Sequence, residues 1–207
     1  MNHAAMRDRV RRCLHSTHDI ETVIGDHAVA GMQREERTLT PAAVLAPLVE
    51  RPEGYTVLLT QRTAHLEHHA GQISFPGGRA EIEDASPVET ALREAEEEIG
   101  LHRRHVVEIA GFLDLYQTVT GFLITPVVGF VTPPFELRLE AFEVAEAFEV
   151  PLDFILDPRH HERRSMLYKG QQRQYYVIPY ENRFIWGATA AMLVNLARRL
   201  TDNPLLA

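Results

Sequence analysis

The alternation of apolar and polar residues predicts a chain in which strands and helices are interspersed. Six segments are rich in aliphatic, β-branched and aromatic residues and are bounded by turn-forming residues, which is typical of strands. These segments are residues 41–50, 55–60, 106–113, 121–131, 166–168 and 174–179. Pro126 lies inside the fourth segment and predicts an edge position or a bulge there. The last two segments predict a hairpin around Lys169 and Gly170.

Three longer segments have the apolar period of 3.6 residues that marks an amphipathic helix. They are residues 4–15, 87–99 and 182–200, and a further short helix is predicted to begin at Pro151. The polar stretch 15–40 has no clear period, which predicts a tether or a weak second helix. Helices that flank strands of mixed direction imply an α/β fold, arranged as an α/β/α sandwich with a mixed sheet. We divide the chain into an N-terminal helix and tether, 1–40, packed on a domain formed by 41–207.

The helix at 87–99 carries the local signals that start and stop a helix. Ser86 and Glu89 form a capping-box pattern, and Pro87 occupies the first helical position. Gly100 supplies the left-handed residue that ends the helix. At 100° per residue, five apolar side chains fall on one stripe that is predicted to face the core. They are Val88, Ala91, Leu92, Ala95 and Ile99.

Three glutamates of this helix, Glu94, Glu97 and Glu98, fall together on the arc beside the apolar stripe. Like charges at these spacings repel by about 0.2–0.5 kcal/mol per pair, and the last turn of a helix favours cations over anions. A divalent cation would reverse the sign of these terms, because hard cations bind carboxylate oxygens. The alternative is a solvated acidic face. We favour a metal site, and we expect the loop at 114–120 to lie beside it.

Composition limits the classes of function that this chain can have. Its 207 residues carry a formal net charge of −8, which argues against a nucleic-acid or anionic-membrane surface as partner. The single cysteine, Cys13, cannot form an internal disulfide bond, so a reducing compartment is expected. Residues 1–20 have no apolar core of a secretory signal, and no apolar run has the length of a membrane span. We therefore expect a cytoplasmic protein. A small-molecule substrate and a monomeric or homodimeric state are further expectations, which do not follow from composition.

The loop at 61–70 is rich in basic groups and leaves three interpretations open. His65, His68 and His69 can have ordinary surface or packing roles, they can contact phosphate together with Arg62, or they can bind a structural zinc ion. No cysteine or fourth ligand lies near them in the sequence, which makes zinc the least favoured of the three.

The spacing of Gly78, Asp84 and the run Arg93–Leu101 resembles the signature of the Nudix hydrolases, G-x5-E-x7-R-E-U-x-E-E-x-G-U, where U is aliphatic. The chain departs from it in two ways, since Asp84 replaces a glutamate and eight residues, not seven, separate it from Arg93. The resemblance implies a Nudix-type α/β/α sandwich and metal-dependent hydrolysis of a diphosphate bond, with Mg²⁺ or Mn²⁺ as cofactor.

Both departures, and two upstream segments, resemble the coenzyme A pyrophosphatase branch of this family. The upstream segments are Leu58–Arg62 and Gly71–Gly78, which match parts of L-L-T-x-R-[SA]-x3-R-x3-G-x3-F-P-G-G. Thr63 stands where that branch has Ser or Ala, and Glu67 where it has a second arginine. The resemblance implies hydrolysis of coenzyme A or acyl-CoA to 3′,5′-ADP and (acyl-)4′-phosphopantetheine. Alternatives are another nucleoside diphosphate derivative, such as ADP-ribose or NADH, or a module that binds a nucleotide without cleaving it.

Roles for individual residues follow from the carboxylate pattern and from the resemblance. The expected metal ligands are Glu94 and Glu98, with Glu97 and the Gly78 carbonyl as further donors. Arg93 is expected to orient the cluster through an ion pair with Asp84, and Glu143 is the candidate general base, with Glu146 as the alternative. The catalytic set is therefore Glu97, Glu143 and Arg93. The expected substrate-binding residues are Arg62, His69, Gly71, Phe75, Pro76 and Gly77.

Overall fold

The structure is a computed structural model that describes residues 2–25, 38–66, 69–168 and 171–201. Its helices are α1 (His3–Cys13), α2 (Pro87–Ile99), α3 (Leu152–Leu156) and α4 (Gly187–Thr201). The first strands are β1 (Val23–Gly25), β2 (Thr40–Arg51), β3 (Gly54–Arg62), β4 (Ile73–Ser74), β5 (Gly77–Arg79) and β6 (Val106–Phe112). The others are β7 (Leu115–Gln117), β8 (Phe122–Val131), β9 (Val144–Pro151), β10 (Glu162–Tyr168), β11 (Gln171–Tyr180) and β12 (Arg183–Trp186).

A mixed sheet forms the centre of the molecule. Within the described residues it has nine strands, with β1, β7, β8, β2, β3 and β4 in spatial order. The remaining strands of this sheet pair at its margins, β5 with β2, β6 with β8 and β9 with β3. The β2–β8 and β1–β7 pairs are parallel, whereas the other pairs of this sheet are antiparallel. Strands β10, β11 and β12 form a separate antiparallel sheet.

Helices cover both faces of the mixed sheet, as the α/β/α sandwich requires. On one face Ala43 and Leu45 of β2 pack in a cluster with Ala91 and Ile99 of α2. The opposite face packs against α1, α3 and α4, and the alternate residues of β2 point into that cluster. They are Val44, Ala46 and Leu48. The period-2 alternation of a strand buried on both sides therefore divides the core into two layers, and the predicted fold class is confirmed.

Helix α2 begins and ends where its sequence signals place it. The Ser86 side chain accepts a hydrogen bond from the Glu89 backbone N–H at 3.4 Å, and Gly100 adopts φ 67°. Only half of the capping box forms, because the Glu89 carboxylate accepts two hydrogen bonds from Arg103 instead of turning back to Ser86. The helix presents Ala91, Leu92, Ala95 and Ile99 to the core as predicted.

The predicted helix at 182–200 is wrong in its first turn. Arg183–Trp186 is strand β12, paired with β11, and α4 begins only at Gly187, where φ is +65°. Ile185, which we expected on the apolar stripe of the helix, is instead buried as part of the strand. The segment Arg-Phe-Ile-Trp consists mainly of residues that favour strands, and Gly187 marks the change to the helix.

Two short strands lie in segments that the sequence pattern assigned to a tether and to a loop. Val23–Gly25 forms β1 and Leu115–Gln117 forms β7, and the two pair in parallel. Each has only three residues, too few for alternation to be visible in the sequence. The remainder of the predicted tether at 26–37 and the hairpin turn at Lys169 and Gly170 lie outside the described residues.

Pro126 lies in the interior of the sheet, since β8 is flanked by β2 on one side and by β6 and β7 on the other. The expectation of an edge position is therefore wrong. The proline sits where the pairing of β8 passes from β7, at residues 123–124, to β6, at residues 127–131. A missing N–H costs least at such an interruption of the ladder.

Helix α1 packs on the domain through Met6 and Val10, which are buried in the same cluster as α4. The division of the chain at residue 40 stays a prediction. Among the described residues, no helix is both long enough and apolar enough to cross a bilayer.

Candidate active site

The glycines before α2 form a short strand. Gly77–Arg79 is β5, which pairs with Ala42–Val44 of β2. A Cβ atom at Gly77 would lie 2.5 Å from the Ala43 carbonyl oxygen, and one at Gly78 would lie 2.5 Å from Glu94 Oε1. Any larger residue at Gly78 would therefore displace the Glu94 carboxylate. The two glycines let the strand approach both the sheet and the acidic face of the helix.

Glu98 is the most deeply buried acid of α2, with 6% of its surface exposed. The Gly77 N–H donates to its Oε2 at 3.2 Å, and the nearest cation is Arg62, whose Nη1 is 3.6 Å from Oε1. Burial raises the pKa of Glu98 to about 7, and the neighbouring carboxylates of Glu94 and Glu143 add to this increase. The protein therefore holds a carboxylate in an environment that penalises its charge and supplies little to offset it.

Glu94 lies one helical turn before Glu98 and is partly buried against Gly78. Desolvation raises the pKa of Glu94, although the adjacent Arg93 acts in the opposite direction. The Glu97 and Glu143 carboxylates are close enough to raise it further. Glu94, Glu98 and Glu143 thus interact unfavourably with one another in the folded chain.

Each nitrogen of the Arg93 guanidinium donates at least one hydrogen bond. Its Nε and Nη2 donate to the two oxygens of Asp84 at 3.1 and 2.9 Å, so the predicted ion pair is present. Nη1 donates to Glu94 and to Glu97, each at 3.0 Å, and Nη2 also reaches the Arg79 carbonyl at 3.1 Å. The Arg93 guanidinium holds the pKa of Asp84 well below its usual range. Arg93 therefore fixes Glu94 and Glu97 relative to the loop that precedes the helix.

Glu97 points towards solvent and Arg93, with 60% of its side chain exposed. Among the described residues, no three His, Cys, Asp or Glu side chains are grouped closely enough to hold a metal ion. The donor chemistry nevertheless fits a hard divalent cation, because Glu94 and Glu98 are desolvated carboxylates with raised pKa values beside a residue that lacks a Cβ atom. Glu97 needs a rotation away from Arg93 to become a third donor.

Glu143 lies at this site although it is far from α2 in the sequence. Arg62 Nη2 is 3.8 Å from Glu143 Oε2, so one guanidinium lies between Glu143 and Glu98. Thr63 fixes the backbone here, since its N–H donates to the Glu143 carbonyl at 2.9 Å and its hydroxyl donates to the Phe142 carbonyl at 2.7 Å. The segment before Glu143 is tied to the end of α2, because the Glu140 N–H donates to the Glu98 carbonyl at 2.8 Å.

Glu146, the alternative base, has a different environment. Its carboxylate pairs with Arg183 of β12, and it lines a cavity of about 360 Å³ together with Gln61, Gly71 and Trp186. Glu143 instead lies 3.8 Å from the Arg62 guanidinium, which also borders Glu98. The geometry therefore favours Glu143 over Glu146.

The expected substrate-binding residues differ in how close they lie to the acids and in how far they are buried. Arg62 and Gly77 touch Glu98 directly, and Gly71 lines the cavity beside Glu146. Phe75 is different, because its side chain is only 1% exposed and belongs to the core. A role of Phe75 in substrate binding stays a prediction. Its ring packs in the core and anchors the segment that leads to β5.

The hydrogen bonds of Pro76 and His69 are made with residues other than these carboxylates. The Pro76 carbonyl accepts a hydrogen bond from the Leu45 N–H at 2.9 Å, which joins this segment to β2. His69 is exposed, with φ 58°, and its Nδ1 lies 2.8 Å from Gln72 Oε1. His65 packs edge-on against Phe142 with ring centroids 4.8 Å apart, which is a packing role. His68 and Glu67 lie outside the described residues.

The sequence analysis missed two residues that shape this region. Thr63 was noted only as a departure from the family pattern, yet its hydrogen bonds position the segment that carries Glu143. Arg183 was assigned to a helix, but it neutralises Glu146 from the neighbouring strand. Neither contact leaves a periodic signal, because each joins residues that are far apart in the chain.

Comparison with known proteins gives a consistent family. The model of the NUDIX domain matches residues 39–169. An uncharacterized Nudix hydrolase, NudL, from Pectobacterium atrosepticum is 41% identical over 163 residues, which cover 79% of this chain and 84% of that protein. The NudL of Escherichia coli K12 is 39% identical over 173 residues, 84% of this chain and 89% of that protein.

Among solved structures, an Ap4A hydrolase from C. elegans aligns with 54% of this chain and 80% of its own at 18% identity, with a TM-score of 0.47. That likeness is too distant to bear on function. The family match and the two relatives each span most of this chain. This chain belongs to the Nudix family and is a Nudix hydrolase.

Proposed function

We propose that this protein hydrolyses the diphosphate bond of coenzyme A or acyl-CoA, giving 3′,5′-ADP and (acyl-)4′-phosphopantetheine, with Mg²⁺ or Mn²⁺ as cofactor. The observation that carries the proposal is the buried Glu98 carboxylate, which the glycine strand and Arg62 border together. A desolvated acid with a raised pKa beside two other acids is the arrangement expected of a catalytic site.

The coenzyme A part of the proposal is supported by the two upstream segments of the branch pattern. Strand β3 ends in Arg62, and β4 lies within the segment Gly71–Gly78. The two pair, with Thr60 opposite Ser74, and the Arg62 N–H donates to the Gln72 carbonyl at 2.9 Å. The two segments of the branch pattern are therefore neighbours in the sheet, and one residue of each, Arg62 and Gly77, lies against Glu98.

The proposed cation site consists of Glu94 and Glu98, with Glu97 and the Gly78 carbonyl as further oxygen donors. A bound divalent cation supplies positive charge to the diphosphate and lowers the pKa of the attacking water. Arg93 acts as a positioning residue, because its hydrogen bonds to Asp84 and Glu94 hold the start of the acidic face in place.

Glu143 is the proposed general base. It accepts a proton from water as the water oxygen attacks phosphorus and the bridging P–O bond breaks, and the charge passes to the leaving phosphate. Two observations support this assignment: Glu143 interacts with both Glu94 and Glu98, and Thr63 holds its backbone. With 45% of its side chain exposed, Glu143 can reach solvent water.

A second substrate class has support from one residue. Glu67 is acidic where the coenzyme A branch has arginine, which disfavours the extra phosphate of coenzyme A and favours a derivative such as ADP-ribose or NADH. A module that binds a nucleotide without cleaving it is less well supported, since such a role has no need for the complete set of Glu94, Glu97 and Glu98.

A substrate panel tests the proposal. Purified protein with Mg²⁺ or Mn²⁺ is offered coenzyme A, acetyl-CoA, ADP-ribose, NADH and diadenosine polyphosphates, and products are identified by mass. We expect 3′,5′-ADP from the first two at the highest kcat/KM, and no product with excess EDTA. Faster cleavage of ADP-ribose or NADH would move the assignment to the second class. Saturable binding without turnover of any substrate would leave only a binding module.

Cytoplasmic location and a monomeric or homodimeric state remain predictions. Gel filtration with light scattering and fractionation of cells that express the protein would test them.

A further inference from the structure

Two arginines border the carboxylates of α2, and they are held in different ways. Arg93 donates to Asp84, Glu94 and Glu97 at hydrogen-bond distances of 2.9–3.1 Å. Arg62 lies 3.6 Å from Glu98 and 3.8 Å from Glu143, which is too far for a hydrogen bond. Its Nε is buried and, within the part of the chain that the structure describes, has no hydrogen-bond partner.

Arg62 is thus attracted to the site by charge, while its five N–H donors remain poorly used. Its backbone is fixed, because the N–H donates to the Gln72 carbonyl and the neighbouring Thr63 is bonded to Glu143. Only the side chain has freedom to move. A guanidinium that gives up two ion pairs lacking hydrogen bonds loses less than one that gives up a bidentate contact.

The position of this guanidinium conflicts with the proposed cation site. Arg62 Nη1 lies against the same Glu98 carboxylate that the proposed function assigns to a divalent ion. Two cations close to one carboxylate repel each other, and the repulsion is stronger in a partly buried site than in water. The ion and the guanidinium therefore compete for Glu98.

We propose that Arg62 is an internal counter-ion that occupies the carboxylate cluster in the metal-free protein, and that binding of a divalent cation releases its guanidinium to a phosphate of the substrate. This inference rests on the proposed function for the identity of the cation site. The planar fork of arginine matches the geometry of phosphate oxygens, so a released Arg62 has a suitable new partner.

The proposal has a thermodynamic consequence. If the cation frees Arg62 for phosphate, then the cation and a diphosphate ligand favour each other's binding, and part of that coupling passes through one side chain. The same side chain weakens cation binding when no phosphate is present. Removal of Arg62 should therefore have opposite effects on the two ligands.

Calorimetric titration with Mn²⁺ alone tests the first half. We expect Arg62→Met to bind Mn²⁺ about 3- to 10-fold more tightly than wild type at low salt, because the competing cation is gone. Arg103→Met is the matched control, since it removes an equal charge from an exposed arginine that pairs with Glu89 near the start of α2. It should change the affinity less than 2-fold, as screened surface charges do. Equal or weaker Mn²⁺ binding by Arg62→Met would overturn the proposal.

Titration with ADP, with and without Mn²⁺, tests the second half. Without Mn²⁺, Arg62→Met should bind ADP as wild type does, and with Mn²⁺ it should bind about 5- to 10-fold more weakly. Loss of ADP affinity by the same factor under both conditions would contradict release. Arg62→Lys, which keeps the charge but loses the fork, should retain Mn²⁺ affinity near that of wild type and still weaken ADP binding in Mn²⁺. These titrations require no turnover of coenzyme A, so failure of the proposed substrate would not affect them.

Discussion

Two carboxylates are buried to the same degree on opposite faces of the mixed sheet. Glu98 lies on the α2 face with 6% of its surface exposed, and Asp114 lies where β6 ends, next to α4, with 7% exposed. Burial by itself raises the pKa of either group. The two groups nevertheless have opposite pKa shifts.

The difference lies in their partners. Asp114 accepts hydrogen bonds from Asn195 at 2.6 Å and from Arg199, and His15 Nε2 lies 2.9 Å from its Oδ1. Burial opposes ionisation there, but these contacts outweigh it and hold the pKa of Asp114 below its ordinary value. Glu98 has one backbone N–H and a loosely held guanidinium, so its burial dominates and raises its pKa.

This contrast separates an acid with a structural role from one whose surroundings suit the proposed cation site. The Asp114 network ties α1, β6 and α4 together and leaves the carboxylate satisfied. The Glu98 carboxylate is desolvated, and its oxygens can accept more hydrogen bonds than they do. This lowers the stability of the fold unless another ligand binds there.

Glu98→Gln should lower kcat/KM by about 10³-fold, equivalent to about 4 kcal/mol of transition-state stabilisation. The neutral amide oxygen is a weaker donor to a divalent cation than a carboxylate, because it supplies no negative charge. The free energy of unfolding of the metal-free protein should be unchanged or higher, since a buried charge is removed. Glu96→Gln is the control, because Glu96 is on the same helix but exposed and paired with His102, and it should retain activity. Full activity in Glu98→Gln would remove the basis of the contrast.

Asp114→Asn should lower the free energy of unfolding by about 3 kcal/mol, because it leaves Arg199 without its buried anionic partner. The folded fraction should keep its kcat, since Asp114 lies on the face opposite to α2. Denaturant unfolding and activity at a temperature well below the midpoint separate the two effects. A large loss of kcat in fully folded protein would show that the two faces are coupled.

Gly78→Ala should lower kcat/KM by about 10- to 100-fold, because the new Cβ atom would lie 2.5 Å from Glu94 Oε1 and displace it. The decrease should appear together with weaker Mn²⁺ binding in calorimetry. Wild-type Mn²⁺ affinity in this variant would show that Glu94 is not a donor. Gly54→Ala is a comparison for backbone strain without a side-chain clash, since Gly54 has φ +140° and a Cβ atom there meets nothing within 4 Å.

The stability of the metal-free protein should depend on pH through Glu98. Its folded-state pKa is raised from 4.5 to about 7, so the folded chain retains a proton that the unfolded chain releases in this range. Stability contributed by the neutral form is therefore lost as pH rises from about 4.5 to 7, by at most about 1.4 kcal/mol per pH unit. Asp114 has the opposite sign, since its lowered pKa stabilises the fold above pH 3.8 and this is lost in acid. Comparing unfolding of wild type and Glu98→Gln across pH 4.5–7 isolates the first effect, and an identical slope in both would contradict it.

Local signals in the sequence were sufficient to predict the bounds of α2, its buried face and its ion pair with the preceding loop. Its caps, its apolar stripe and the Arg93–Asp84 pair involve residues within one short segment, so their spacing encodes the geometry. The strands β2, β3, β6 and β8 were predictable for a similar reason, since long apolar runs bounded by turns have few alternative structures.

Contacts between distant segments were not predictable in this way. His15, Asp114 and Arg199 form one network, yet nothing in their sequence surroundings links them. The assignment of β12 to a helix failed because an apolar residue every third or fourth position fits both structures until pairing with β11 decides. The burial of Phe75 has the same origin, since it depends on packing against core residues from distant segments.

The hydrogen bond between the Glu140 N–H and the Glu98 carbonyl has a consequence for how this enzyme can change. Residues 140–143 form a short connector that carries Glu143. This hydrogen bond and those of Thr63 hold the connector between the end of α2 and the end of β3. One residue added to or deleted from that connector would shift the acid relative to the helix and leave the sheet intact. The separation of these two carboxylates therefore depends on the length of the connector as well as on the sheet, so a change in a loop alone would alter the spacing of the acids.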